Sequence, residues 1–301
     1  MDENSNRLVD AGAFPKVILL DTLSYCNLRC PLCGYRLMTR KKGRMSWDLY
    51  TRLIDEIAEK RKDARVWMVF VGEALITWRS LVMQVAYAKQ KGLTDVVLNS
   101  NGTLLSDECC TGLVESGLDA IYTGIDAFKP ETYKKLRAGG DYDRVVANVL
   151  RLAETKRRML VPATSAPQVF VQFVETAENT DEVEAFRRYW MGEGVGVKIR
   201  PQATWAGTIE PWRATRTERY PCYWAMQGFV VCWDGRVALC AADYDAKFVA
   251  GDVSKDSIQS VWMNSLKGIR DTHRVGRYDE LPEFCRSCTD WQMARAEYYN
   301  K

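Results

Sequence analysis

Residues 16–35 read KVILLDTLSYCNLRCPLCGY. The opening KVILLDT is an apolar, β-branched run of the kind that forms a strand buried on both faces. Immediately after it, Cys26, Cys30 and Cys33 fall in the spacing C-x3-C-x2-C. Parallel α/β folds carry their chemistry in such loops, at the carboxyl edge of the sheet. Three thiolates can hold three irons of a cubane and leave the fourth without a protein ligand. That iron could chelate a small molecule through its amine and carboxylate, much as catalytic metals keep a position open for substrate. Two structural alternatives stay open at this point: a zinc completed by a distant cysteine, and three thiols that simply pack.

The strand-then-loop pattern repeats outward from this stretch. Further apolar runs occupy 65–71, 94–100, 118–126, 168–175 and 195–201, with amphipathic segments between them. Ser46 and Ser106 are placed as N-caps of two helices, and a third helix is expected around 81–85. Others are predicted over 130–137, 142–158 and 180–192. Six strands alternating with helices call for a parallel sheet with right-handed crossovers. Either a doubly wound sheet or a TIM-type barrel left open at one side satisfies that pattern.

Residues 202–221 mix Gly, Pro, Trp and charges without periodicity and read as a bridge. A smaller unit follows. FVVCWDGRVALC (229–240) predicts a hairpin with a two-residue turn at Asp234-Gly235. That register pairs Trp233 with Arg236 and Phe229 with Cys240, which puts Cys232 on the face opposite Cys240. A single helix is expected over 257–274, ahead of Cys285 and Cys288. The predicted divisions are therefore 1–201, 202–221 and 222–301.

Composition limits the function classes. The 301 residues are 47% hydrophobic and 27% charged with a net charge of +3, a globular mixture without a basic block. Nucleic acid and membrane partners are not suggested. No 18-residue apolar run occurs, and the amino end lacks the pattern of a secretory signal, so a cytoplasmic location is expected. Ten cysteines in a reducing compartment point to metal or redox chemistry rather than disulfides. With one histidine, His273, metal here has to be held by thiolates. Cys222, Cys240, Cys285 and Cys288 supply four, enough to close a zinc or an iron-sulfur site. Cys109 and Cys110 read as core.

The motifs resemble the radical S-adenosylmethionine (SAM) superfamily. Cys26, Cys30 and Cys33 match its C-x3-C-x2-C signature between the first strand and first helix. VGEAL (71–75) resembles the glycine-glycine-glutamate-proline motif that receives the SAM amino group. Gly72 and Glu73 are kept, whereas Val71 and Ala74 replace the first glycine and the proline. SNGTLL (100–105) is similar to the threonine-asparagine-glycine motif and brings Asn101. GIDAF (124–128) resembles the stretch that puts an acidic residue, here Asp126, near the SAM ribose, with Gly124 in place of a serine. Arg137 matches an arginine found near the SAM carboxylate. The carboxyl-terminal cysteines resemble the SPASM/twitch extensions that carry auxiliary [4Fe-4S] clusters, and four ligands suit the shorter, one-cluster form.

The resemblance implies a partial (β/α)6 barrel followed by a small hairpin-plus-helix iron-sulfur domain. It implies a [4Fe-4S] cluster held by three cysteines with SAM, and one auxiliary [4Fe-4S] cluster. It also implies a flavodoxin or ferredoxin as one-electron donor, and a 5′-deoxyadenosyl radical that takes hydrogen from a substrate C–H bond. If the auxiliary cluster accepts an electron the outcome is dehydrogenation. If a thiol such as Cys232 returns a hydrogen atom it is epimerisation. A small polar substrate is expected, a sugar, aminocyclitol or natural-product intermediate, because strand one begins near residue 16 and leaves no room for a leader-binding domain. Arg200, Trp205, Tyr223, Trp224 and Asp243 are its candidate contacts. Modification of a ribosomal peptide is the alternative, and a non-catalytic iron-sulfur or zinc module for electron transfer or assembly is the alternative of another class.

Overall fold

In the computed structural model of the chain, residues 11–159, 167–213, 218–292 and 296–300 are described. The amino-terminal residues 1–10 and residues 214–217 of the bridge lie outside them. Six parallel strands run in order: β1 (Val17–Leu20), β2 (Arg65–Trp67), β3 (Asp95–Ser100), β4 (Ala120–Gly124), β5 (Gln168–Glu175) and β6 (Gly196–Pro201). The crossovers carry α1 (Trp47–Lys60), α2 (Trp78–Gln90), α3 (Asp107–Glu115), α4 (Pro130–Leu136), α5 (Tyr142–Arg158) and α6 (Val183–Gly192). The Ser46 and Ser106 hydroxyls accept from Leu49 N and Cys109 N, so both predicted N-caps are present.

Alternation along the strands sorts the side chains onto two faces. Ile18, Leu20, Val66, Val96, Ile121, Val197 and Ile199 face the helices, where they pack with Leu53, Leu81, Val149 and Phe186. Val17, Leu19, Trp67, Val97, Tyr122 and Phe170 line the other, concave face. Burying each large apolar side chain contributes roughly 1.5–3 kcal/mol. The helix layer fixes the curvature, and the concave face becomes the wall of a bore.

The carboxyl-terminal unit adds to this sheet instead of standing apart from it. After the short α7 (Tyr223–Gln227), β7 (Gly228–Val231) pairs parallel with β1, and β8 (Arg236–Ala238) and β9 (Val249–Asp252) follow antiparallel. The last strand, β10 (Glu297–Tyr299), returns to pair antiparallel with β6. The sheet order is β10-β6-β5-β4-β3-β2-β1-β7-β8-β9. β9, β10 and α7 are absent from the sequence expectation, since four residues such as VAGD or three such as EYY carry too short a pattern.

Two local expectations are corrected. The hairpin pairs Val231 with Val237, so its register is one residue off the predicted one. Cys232 N donates to Arg236 O and Gly235 N donates to Cys232 O, leaving Trp233, Asp234 and Gly235 as a three-residue loop. Gly235, at φ +93°, supplies the left-handed position this loop needs. The one-residue slip moves Cys232 to the face it was predicted to avoid. The expected helix over 257–274 is two helices, α8 (Ile258–Met263) and α9 (Lys267–Arg274). Asn264 and Ser265, poor helix-interior residues, interrupt it, and Arg270 donates to the freed Trp262 carbonyl at 2.7 Å. No helix among the described residues is long and apolar enough to cross a membrane.

Candidate metal centres

The first cysteine loop leaves the carboxyl end of β1 and runs into a 3-10 turn at Gly34–Leu37. Cys26, Cys30 and Cys33 are all partly exposed. The sulfur of Cys26 accepts from Leu28 N at 3.4 Å and from Asn101 Nδ2 at 3.8 Å, and that of Cys33 accepts from Tyr35 N at 3.5 Å. Burial pushes the Cys33 thiol up to about 11 and raises Cys26 too. Both stay protonated at neutral pH until a metal displaces the proton.

Successive strand ends brace this loop. Gly72 packs so closely that a Cβ there would lie 2.2 Å from Leu23 O, which explains why no larger residue fits. The next residue, Glu73, donates its N–H to Tyr25 O at 2.7 Å. The Glu73 carboxylate is 1% exposed and accepts from Leu75 N, Ser100 Oγ and Asn101 N. These donors offset part of its burial, which still raises its pKa. Asn101 continues the chain through Asn27 to Thr103. Val71, at the position of the expected glycine, packs with Tyr35, Met38 and Tyr244 beside Cys26 and Cys33.

Asp126 and Arg137, expected at different parts of SAM, meet each other. Arg137 Nη2 lies 2.5 Å from Asp126 Oδ2, while Asp126 Oδ1 accepts from Val174 N. A Cβ on Gly124 would lie 2.1 Å from the guanidinium, so the residue that departs from the family serine is the one that admits Arg137. Arg137 Nε is buried and has no hydrogen-bond partner. Sulfurs with N–H donors, a buried carboxylate with acceptor capacity to spare and an unsatisfied guanidinium nitrogen fit a cluster with a bound amino acid moiety.

Cys222, Cys240 and the pair Cys285 and Cys288 approach one another from three segments. Cys222 precedes α7 and its N–H donates to His273 Nδ1 at 3.5 Å. Cys240 follows β8, Cys285 lies on α10 (Glu283–Ser287), and Cys288 caps α10, its sulfur accepting from Asp290 N at 3.3 Å. Burial holds the Cys240 thiol well above its ordinary value, and Cys222, Cys285 and Cys288 push it further. Among the described residues no three His, Cys, Asp or Glu side chains are gathered tightly enough for a single metal ion.

Missed by sequence reasoning are the latches that join the two centres. The Asp290 carboxylate accepts from Thr204 N and Ala206 N, and Trp205 Nε1 donates to Leu32 O, next to Cys33. Asp245 accepts from Thr39 N and Arg40 N, and Trp233 Nε1 donates to Lys41 O. Carboxylates two residues after a cysteine, or in a loop such as ADYDAK, carry no signal that separates a latch from a surface charge. Of the candidate substrate contacts, Trp205 serves as such a latch. Asp243 caps its own turn through Lys247 N and Phe248 N, and Tyr223 and Trp224 pack on the bore cluster. Cys232 is fully buried in the bore beside Val230 and Ala238. Its neighbouring charges are Arg40 and Asp21, an ion pair at 2.7 Å, and burial pushes its thiol up to about 12. Cys109 and Cys110 are core, as expected.

Residues 21–164 match the Radical SAM superfamily and residues 222–289 match an iron-sulfur cluster-binding domain, SPASM. A tungsten-containing aldehyde ferredoxin oxidoreductase cofactor-modifying protein of Pyrococcus furiosus is 29% identical over 185 residues, 61% of this chain and 50% of its own length. The chain thus spans about half the length of that relative. Among solved structures, BtrN in complex with AdoMet and 2-DOIA aligns with a TM-score of 0.64 at 18% identity, covering 91% of this chain and 92% of BtrN. Streptococcus suis SuiB bound to precursor peptide SuiA gives 0.70 at 10% identity, covering 89% and 69%. The two matched families bring a [4Fe-4S] cluster with SAM and an auxiliary iron-sulfur cluster. The open thiol loop at the end of β1 and the gathered cysteines of the carboxyl-terminal unit therefore have one common explanation: the chain carries a radical SAM domain over residues 21–164 and a SPASM iron-sulfur domain over residues 222–289.

Proposed function

We propose that this enzyme cleaves SAM reductively and abstracts a hydrogen atom from a C–H bond of a small polar substrate in the bore, a sugar, aminocyclitol or natural-product intermediate. The observation that carries the reading is a contrast in number: three thiols in one loop at the carboxyl end of β1, and four gathered in the carboxyl-terminal unit. When bound, the clusters and SAM supply a 5′-deoxyadenosyl radical and a site for electron exchange. Cys26, Cys30 and Cys33 would hold the first cluster and Cys222, Cys240, Cys285 and Cys288 the auxiliary one. Gly72 lets the second strand end reach the cysteine loop. Glu73 uses three of about four acceptor positions internally, which leaves one for the SAM ammonium. Asn101 orients Cys26, and Arg137 with Asp126 would receive the SAM carboxylate and ribose. We take residues 1–201 as the barrel, 202–221 as the bridge and 222–301 as the auxiliary unit, working in the cytoplasm with flavodoxin or ferredoxin as reductant.

Dehydrogenation and epimerisation divide on Cys232. Its buried, protonated thiol is in the form that donates a hydrogen atom. Turnover in deuterated water, with wild type and Cys232→Ala, separates the two: solvent deuterium in the product, lost in the variant, supports epimerisation. Unchanged turnover without uptake supports dehydrogenation. Anaerobic reconstitution with dithionite and SAM tests the reading as a whole. Formation of 5′-deoxyadenosine supports it, and its absence favours a non-catalytic module. A mass change in a co-expressed peptide, with none in metabolites, would replace the small-molecule reading with peptide maturation.

A further inference from the structure

Lys198 and Arg200 stand two residues apart on β6 and face the bore, while Val197 and Ile199 between and beside them face the helices. Lys198 is only 9% exposed and has neither an ion-pair nor a hydrogen-bond partner among the described residues. Its ammonium lies 4.8 Å from the ring centre of Tyr122, 5.4 Å from Trp67 and 5.5 Å from Tyr298. Ring faces attract the charge without neutralising it. Burial, then Arg200 and Arg65, bring its pKa down to about 7.

Arg200 sits one layer closer to the first cysteine loop and forms no ion pair among the described residues. Burial lowers its pKa while Asp126 raises it, and its place two residues beyond Lys198 on β6 sets it nearer the carboxyl end of the sheet, where the first cysteine loop leaves β1. The other cations around the bore are matched. Arg65 pairs with Asp95 at 2.8 Å, Arg40 with Asp21 at 2.7 Å and Arg137 with Asp126 at 2.5 Å. Two unmatched cations therefore stand on the inner face of the sheet, the deeper of them beside the aromatic cluster of Trp67, Tyr122 and Phe170. Buried charge without a counter-charge is costly, and a ligand that supplies the counter-charge removes that cost.

The geometry points to a substrate that carries a carboxylate or phosphate group, seated against Lys198 and Arg200 with the rest of the molecule directed toward the first cysteine loop. The inference rests on the bore being the substrate chamber, and it narrows that reading. Acidic or phosphorylated sugars and natural-product acids fit, whereas a basic aminocyclitol would bring its ammonium against two cations. Tyr122, the ring nearest the Lys198 ammonium, is itself held in place by stacking on Phe170 at 4.9 Å.

The test uses the full chain with both clusters reconstituted and SAM bound. Benzoate, inorganic phosphate and pyrophosphate are titrated by calorimetry and by tryptophan fluorescence, since Trp67 borders Lys198. Glucosamine is the cationic control and myo-inositol the neutral one. At least one anion binds wild type, its affinity falls about tenfold or more in Lys198→Met and in Arg200→Gln, and Lys198→Arg retains it. Preference for benzoate assigns a carboxylate, and preference for the phosphates assigns a phosphoryl group. Lys198→Met keeps the stem within the aromatic rings, and unchanged iron content and melting temperature verify its fold. Absence of anion binding, equal binding in the variants, or tighter binding of glucosamine overturns the inference. Formation of 5′-deoxyadenosine, measured without probes, reports separately: if it fails, the radical reading fails, and if it succeeds without anion binding, only the substrate inference fails.

Discussion

Cys26, Cys30 and Cys33 come from one short loop, whereas Cys222, Cys240 and the pair Cys285 and Cys288 are drawn from three segments between residues 222 and 288. The first loop is shaped by the barrel. Its backbone hangs on Gly72 and Glu73, its sulfurs receive protein N–H groups, and the charged pair Asp126 and Arg137 lies nearby. The second group is gathered from segments far apart in the chain: Cys240 and Cys285 lie near Cys222, and the Cys288 sulfur accepts from Asp290 N. A site pre-shaped by its scaffold tolerates a missing ligand and can offer that position to SAM. A site assembled from distant pieces couples its metal to folding, because the cluster ties those pieces together.

The largest expected effect follows directly. Cys240→Ser should release the auxiliary iron and lower the melting temperature strongly, on the several-kcal/mol scale of structural metal sites. Cys30→Ser should release the first cluster with a much smaller change, as its loop keeps its hydrogen bonds. Iron counts and melting curves on both variants check the pair, and equal destabilisation would remove the distinction. Next, Asp126→Ala leaves the Arg137 guanidinium buried without its partner, at about 3–5 kcal/mol. Chemical denaturation measures that loss, and SAM affinity should fall with it. Gly72→Ala puts a methyl against Leu23 O and should cost about 1–3 kcal/mol. It should loosen the first cluster while the auxiliary iron stays, a selective loss that iron analysis reads.

A further expected outcome is a pH dependence. The Lys198 pKa is lowered from 10.5 to about 7, so the unfolded chain holds a proton that the folded chain lacks between those values. Its contribution to stability is therefore present above the ordinary value and is lost as pH falls through about 7. Lys198→Met should flatten the rise in stability from pH 7 upward. Benzoate or phosphate binding in wild type should weaken as pH rises through the same region. The groups facing Lys198 are Arg65 and Trp67 on β2, Tyr122 on β4, Arg200 on β6 and Tyr298 on β10, with Asp95 on β3 paired to Arg65. The tyrosines Tyr122 and Tyr298 are raised, so they stay neutral over this window.

Much of the barrel can be read along the chain because strands and helices have different periods. All six expected strands are present, and α5 occupies the predicted 142–158. Five of the seven candidate ligand cysteines are legible for a related reason: C-x3-C-x2-C and the C-x2-C of Cys285 and Cys288 each fall within one local segment. What is not legible depends on pairings far apart in sequence. Nothing in FVVCWDGRVALC distinguishes a two-residue from a three-residue loop, and the one-residue difference reverses the facing of Cys232. Nor could Asp126 and Arg137, each assigned to SAM by its own motif, be seen to meet until β4 and α4 were folded together. Lys198 had one available signal. VGVKIRP alternates apolar residues with Lys and Arg in a strand buried on both sides, where such charges need a purpose.

The account turns on one centre being open and the other closed. The most direct measurement is electron paramagnetic resonance of the reduced, reconstituted protein with and without SAM, in wild type and in the triple variant Cys26→Ala, Cys30→Ala, Cys33→Ala. The account predicts about eight irons per chain in wild type and about four in the variant. It predicts that SAM alters the spectrum of wild type only. A variant that keeps a SAM-sensitive signal, or a wild type whose spectrum ignores SAM, would contradict it.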